Sequence, residues 1–256
     1  MWRRGAHWPS PDNGGVSALL EVVVLHEADA ARAEEGGADR VMLSGELVGD
    51  GRSPEPGLVA RVRQATSVQL RTLVRLRDGF STDGGEVVRL RGLIASHLDA
   101  GADGVVLGFL NGLSLPDCEV VHRLVDDGRF PYTFDHAIDR CLSQDDAWAE
   151  LLTLPRLDQV LTAGSTRGVA HGLDELVARA GSDQRMARLI MAGGGLSSEH
   201  VPWLIRAGVR AFQIGPQARP QGSIRAQVDA PLVHSWRRLL DDTTAHVSRG
   251  APAAPL

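Results

Sequence analysis

Residues 188–220 read RLIMAGGGLSSEHVPWLIRAGVRAFQIGPQARP. Leu189 to Ala192 is a short apolar run, Gly193 to Gly195 breaks it, and Ser197 or Ser198 stands where an N-cap belongs. Val201, Leu204 and Ile205 give the following helix an apolar stripe, Gly208 stops it, and Ala211 to Gly215 is a second apolar run closed by glycine. Strand, glycine loop, helix and strand in that order are the closing quarter of a (β/α)8 barrel, whose loops at this place commonly bind phosphate.

Outward from this stretch the same alternation fills the chain. Strands are expected over Leu19 to Leu25, Arg40 to Leu43, Leu70 to Leu76, Gly104 to Leu110, Tyr132 to His136 and Gln159 to Ala163. Helices are expected over Glu27 to Glu35, Gly57 to Ala65, Glu86 to Ala100, Leu115 to Val125, Asp145 to Leu154, His171 to Ala180 and Ala230 to Val247. The strands are nearly continuous apolar runs, as parallel strands covered by helices require. Gly37-Ala38-Asp39-Arg40 and Gly101-Ala102-Asp103-Gly104 each close a helix and open an even-numbered strand, and Gly208-Val209-Arg210-Ala211 echoes them. Such a quasi-repeat favours a closed barrel over a doubly wound open sheet. The expected organisation is a flexible arm over 1–17, one α/β TIM-barrel domain over 18–248 and a loose tail over 249–256.

The 256 residues, 43% hydrophobic and 23% charged, suffice for a full core. A formal charge of −5 without basic clusters argues against a nucleic-acid partner, and no apolar run is long enough to predict a membrane span. Cys118 and Cys141 form no CxxC pattern, which suits a reducing cytoplasm. All 27 basic residues are arginine. Schiff-base chemistry and a Walker-type phosphate lysine are thereby excluded, and any anion falls to arginine, backbone N–H groups or a metal.

Reactive groups in such a barrel sit at the C-terminal ends of the strands. Arg71, Arg75 and Arg77 share one parity in strand three, and Arg75 and Arg77 are nearest the rim. They read either as an anion clamp or as ion-pair struts, Arg75 with Glu21 being one such pair. Glu21, charged within an apolar run, is either an arginine-paired strut or a general base. Asp135 and His136 end strand five, with Asp139 three residues later, and suit proton transfer or a loop hydrogen-bond network. Gly193, Gly194 and Gly195, with the loop Gly164 to Gly168, offer backbone donors for an oxyanion. There is no HxH, HExxH or cysteine cluster, so no metal ligand and no cofactor is predicted.

Leu20-Glu21-Val22, Gly36 to Val41, Val74-Arg75 with Arg77, Gly101 to Val106 with Gly108, Thr133-Phe134 with Ala137 and Asp139, Leu161-Thr162 with Gly164, and Met191 to Gly195 follow one another along the chain. Taken jointly and in this order they resemble the CutC family of copper-homeostasis TIM barrels, from about Leu20 to Ile214. The resemblance implies the barrel and a role in copper homeostasis. Where the family pattern has cysteine this chain has Val23 and Ser44; Met42 replaces a glutamate, and Gln213 stands for a histidine. Copper(I) prefers soft thiolate or imidazole ligands, so weak copper binding is expected.

Glu21, Asp135, His136 and Asp139 are thus the candidate catalytic residues. Arg75, Arg77, Thr162, Gly193, Gly194, Gly195 and Gln213 are the candidate binding residues. The expected activity is metal-free acid/base chemistry of lyase or isomerase type on a small anionic metabolite, phosphorylated or not. Copper handling without catalysis is the alternative. A homodimer is the default assembly.

Overall fold

The computed structural model describes residues 17–46, 49–125 and 130–250. Eight parallel strands close into a barrel in sequence order, β1 pairing with both β2 and β8. They are β1 (Leu19–Val24), β2 (Arg40–Leu43), β3 (Gln69–Leu73), β4 (Gly104–Leu107), β5 (Tyr132–Phe134), β6 (Leu157–Thr162), β7 (Ile190–Ala192) and β8 (Ala211–Ile214). The helices are α1 (Glu27–Glu35), α2 (Pro56–Ala65), α3 (Gly84–Asp99), α4 (Cys118–Val125), α5 (Gln144–Leu151), α6 (Val169–Ser182), α7 (Gln184–Leu189), α8 (Val201–Arg206) and α9 (Ala230–Gly250). The open-sheet alternative is excluded by the β1–β8 pairing.

Outward-facing residues such as Leu20, Val22 and Val24 are fully buried between sheet and helices in the main apolar core. The repeated Gly-Ala-Asp has a structural cause. Asp39 and Asp103 each accept from the second residue of the preceding odd-numbered strand, Leu20 N at 2.7 Å and Leu70 N at 2.8 Å. The third echo does the same work with its backbone, the Arg210 carbonyl accepting from Leu19 N at 2.7 Å. Each satisfies a strand-end donor that would otherwise be left without a partner.

Inside the barrel, Val23, Met42, Leu73 and Val106 form a small apolar cluster. One inward position below it, toward the N-terminal ends, stand Glu21, Arg40 and Arg71. Glu21 pairs with Arg40, its register neighbour, and Arg71 pairs with Asp158 of β6, which also lies 3.9 Å from Arg40. Burial pulls the Arg71 guanidinium below its ordinary range, and Asp158 opposes that. The predicted Glu21–Arg75 pair is therefore corrected. Arg75 lies four residues beyond Arg71, more than 10 Å along the chain, and cannot reach Glu21.

Helix α9 closes the structure. Arg237 binds Asp39 at 2.7 Å, the Ala18 carbonyl at 2.8 Å and Ser17 Oγ at 3.0 Å, while also pairing with Asp241 one turn along.

Several boundaries differ from expectation. β3 ends at Leu73, because Arg75 N turns to Ser53 Oγ and Gly79 takes a left-handed φ of 83°. α4 starts at Cys118 because Leu110 to Pro116 form a tight antiparallel turn bonded around the Asn111 side chain. The sequence pattern missed α7, capped by Asp183. α9 continues through Arg249 and Gly250, which were expected in the tail. Residues 1–16 of the arm and 251–256 of the tail lie outside the described residues.

Candidate active site at the C-terminal rim

A cavity of about 280 Å³ opens at the C-terminal ends of the strands, floored by the Val23, Met42, Leu73 and Val106 cluster. β5 stops at Phe134, and Asp135 caps a tight turn over His136–Arg140 by accepting from Ala137 N at 2.9 Å. Adjacent residues on a strand would point to opposite faces. Because the chain leaves the strand here, Asp135 and His136 both line the cavity.

His136 Nδ1 lies 3.0 Å from Asp139 Oδ2. Asp139 is itself held by Thr162 Oγ1 at 2.6 Å and Ala163 N at 2.9 Å, both at the end of β6. The imidazole is 37% exposed, whereas the carboxylate is buried. A donor-stabilised carboxylate that orients one ring nitrogen leaves the other, Nε2, free to exchange a proton with a bound molecule. Thr162, expected to touch substrate, is instead behind the dyad, and its Oγ1 also accepts from Gly164 N at 2.9 Å.

The strand-seven loop faces this imidazole. Gly194 and Gly195 line the cavity with φ of 79° and 77°, a backbone conformation that favours glycine. A Cβ on Gly194 would sit 2.9 Å from His136 Cε1. Among the described residues the N–H groups of Gly194 and Gly195 have no partner, while the Gly194 carbonyl is fixed by Val169 N at 2.9 Å. Gly193 is buried and donates to the Thr162 carbonyl at 3.1 Å, so it anchors the loop without lining the cavity. Ser197 caps the next turn together with His200 and is committed there.

Arg75 lines the cavity but is only 3% exposed. It forms an ion pair with Asp135, donates to the Asp50 carbonyl and lies 4.6 Å from the Phe80 ring centre. Its Nε is buried and has no hydrogen-bond partner among the described residues. Gly108 makes the pair feasible, since a Cβ there would come within 2.0 Å of Asp135 Oδ1. Arg77 is corrected: it is half exposed and turned outward to Glu86 of α3, Nε to Oε2 at 3.0 Å. Gln213 lines the cavity and donates to Glu21 Oε1 at 2.7 Å, so Glu21 is buried beneath the cavity rather than in it. Asp50, Phe80 and Gln217 were not anticipated. The Gly49-Asp50-Gly51 turn after strand two was the one available signal for Asp50.

The donor set does not fit copper(I). Among the described residues no three His, Cys, Asp or Glu side chains are grouped to hold a metal ion. Burial pushes the Cys118 thiol up to about 12 and the Cys141 thiol up to about 11, so both remain neutral at ordinary pH.

Comparison with known proteins agrees with the geometry of the fold. The CutC family profile matches residues 18–215. A CutC family protein of Xanthomonas campestris is 36% identical over 217 residues, covering 83% of this chain and 87% of that one. The Citrobacter koseri relative is 28% identical over 245 residues, with 91% and 96% covered. Among solved structures, the CutC protein of Streptococcus agalactiae superposes with a TM-score of 0.68 at 21% identity, covering 77% of this chain and 98% of that one. Thiamine phosphate pyrophosphorylase from Pyrococcus furiosus gives 0.53 at 15% identity, with 90% and 98% covered, a likeness of fold alone. Over a closed eight-stranded parallel barrel and nearly four-fifths of its sequence, this chain belongs to the CutC family.

Proposed function

We propose that the rim cavity binds a small anionic molecule and that His136 moves a proton on it, in a lyase or isomerase type of reaction. The observation that carries this reading is the His136–Asp139–Thr162 chain facing the free N–H groups of Gly194 and Gly195. An oriented imidazole beside backbone donors can shift a proton while the donors hold the negative charge that develops. Arg75 is neutralised by Asp135, so its part is to hold Asp135 in place rather than to supply free positive charge. A phosphate or carboxylate group would sit against the glycine loop, with the apolar floor covering the rest of the molecule.

The test is a melting-temperature screen against phosphorylated and carboxylate metabolites, followed by turnover assays on each compound that stabilises the native state. Expected is at least one compound turned over by the native protein, still bound by His136→Ala, and no longer turned over by it. Compounds that bind and are turned over equally by His136→Ala would overturn the reading.

A further inference from the structure

At the opposite, N-terminal mouth of the barrel lies a larger cavity of about 930 Å³. Its wall carries Arg40, Arg188, Arg206 and Arg210 against a single carboxylate, Asp158. That is a local reversal of sign in a chain whose formal charge is −5. Three of the four guanidiniums have no carboxylate partner among the described residues. Arg188 makes no ion pair, and Arg206 lies 5.8 Å from the Trp203 ring centre. Arg210 is held by two carbonyls, Ile205 O at 2.7 Å and Val209 O at 2.8 Å, which fix its position without cancelling its charge.

The fourth, Arg40, is 2% exposed. Its Nε is taken by Glu21 and its Nη2 lies 3.7 Å from Met191 Sδ, but among the described residues Nη1 makes no hydrogen bond, and it lies 3.9 Å from a carboxylate oxygen of Asp158. Gln159, on the same wall, adds a buried Oε1 without a partner among the described residues. A buried guanidinium with one end unbonded, ringed by uncompensated arginines, is a preformed donor site for forked anionic groups.

We propose that this mouth is a second ligand site, taking a small polyanion with three or more negative charges, of the phosphate-chain or tricarboxylate class. It is separate from the rim cavity, yet joined to it by side chains in contact. Arg40 at the lower mouth pairs with Glu21, and Glu21 accepts from Gln213 of the rim cavity at 2.7 Å. Occupancy below can thus change how Arg40 shares Glu21, and through Gln213 bear on the upper wall.

The probes are inorganic tripolyphosphate, ATP and citrate, titrated calorimetrically into the full chain at low and high salt. Tripolyphosphate is expected to bind, more weakly as salt rises, since exposed charges are screened. Arg188→Gln with Arg206→Gln, both on exposed side chains, should weaken it at least tenfold while leaving the melting temperature unchanged. His136→Ala at the rim should leave it unaltered. ATP binding with equal loss in the double variant would assign the site to phosphate chains in general, and citrate doing so would assign it to charge irrespective of phosphorus. No binding by any of the three, or binding abolished by His136→Ala and indifferent to the double variant, would overturn the proposal. Because the two sets of variants act on opposite mouths, failure here leaves the rim reading standing.

Discussion

His136 Nδ1 and Asp139 Oδ2 stand 3.0 Å apart, on a carboxylate already held from behind by Thr162 and Ala163. Asp139→Asn would keep the shape but present the amide NH2 or a weaker acceptor to the ring, disturbing its tautomer. Turnover of a substrate found by screening should fall about a hundredfold or more, with KM changing only a few fold. Turnover within tenfold of the native value would show that the dyad is only a loop fastening.

Arg75 and Asp135 are a buried pair, and removing one partner strands the other's charge. Arg75→Met should destabilise the protein by roughly 3 to 5 kcal/mol. Adding Asp135→Asn should restore part of that loss, which urea midpoints of the two single variants and the double variant will measure. An Arg75→Met protein as stable as the native one sinks the strut and returns Arg75 to the role of a free clamp.

Glu21 neutralises Arg40 and accepts from Gln213. Glu21→Gln leaves Arg40 and Arg71 sharing only Asp158, and should lower stability by about 3 kcal/mol. Affinity at the rim should change less than tenfold. Loss of turnover at unchanged melting temperature would instead make Glu21 a base.

His97 is fully buried on α3, with ring nitrogens 3.0 Å from Thr72 Oγ1 and 2.9 Å from the Pro54 carbonyl. Burial lowers its pKa from 6.5 in spite of the Pro54 contact. A histidine depressed in the folded state contributes stability that is full above its unfolded pKa and is lost as pH falls through the folded one. The urea midpoint should therefore begin to drop below about pH 6.5. His97→Gln should show a shallower drop between pH 6.5 and 5 than the native chain. Identical slopes would assign the acid sensitivity to other groups.

Copper(I) should bind weakly, since a thiol must lose its proton to serve as a ligand and both cysteines resist doing so. Competition against a copper(I) chelator should give a Kd no tighter than about micromolar, in line with the lack of a soft ligand set. Tight stoichiometric binding that Cys141→Ser abolishes would contradict this.

The barrel was legible in the sequence because its signals are local. Apolar runs mark the strands, and the Gly-Ala-Asp echo marks a hydrogen bond repeated at Asp39 and Asp103. The members of the rim site were legible too, since His136, Gly194 and Arg75 all follow strand ends. Their partners were not. Strand parity told which face Glu21 and Arg75 share, but not that register sets Glu21 beside Arg40 while Asp135 meets Arg75 over the intervening β4. Arg77 was placed inward on the assumption that β3 continues, and the turn after Leu73 rotates it out to Glu86. Asp50 contributes through its carbonyl, which no side-chain pattern records.

The Arg237 clasp has a consequence for the order of assembly. It ties Ala18 and Asp39, among the earliest residues of the barrel to be synthesised, to a helix that begins only at Ala230. During translation the leading edge of β1 therefore waits, without its β8 neighbour or this guanidinium, until almost the whole barrel has left the ribosome. A nascent chain halted before residue 211 would hold seven of the eight strands and should still be an open sheet with unpaired edges at β1 and β7.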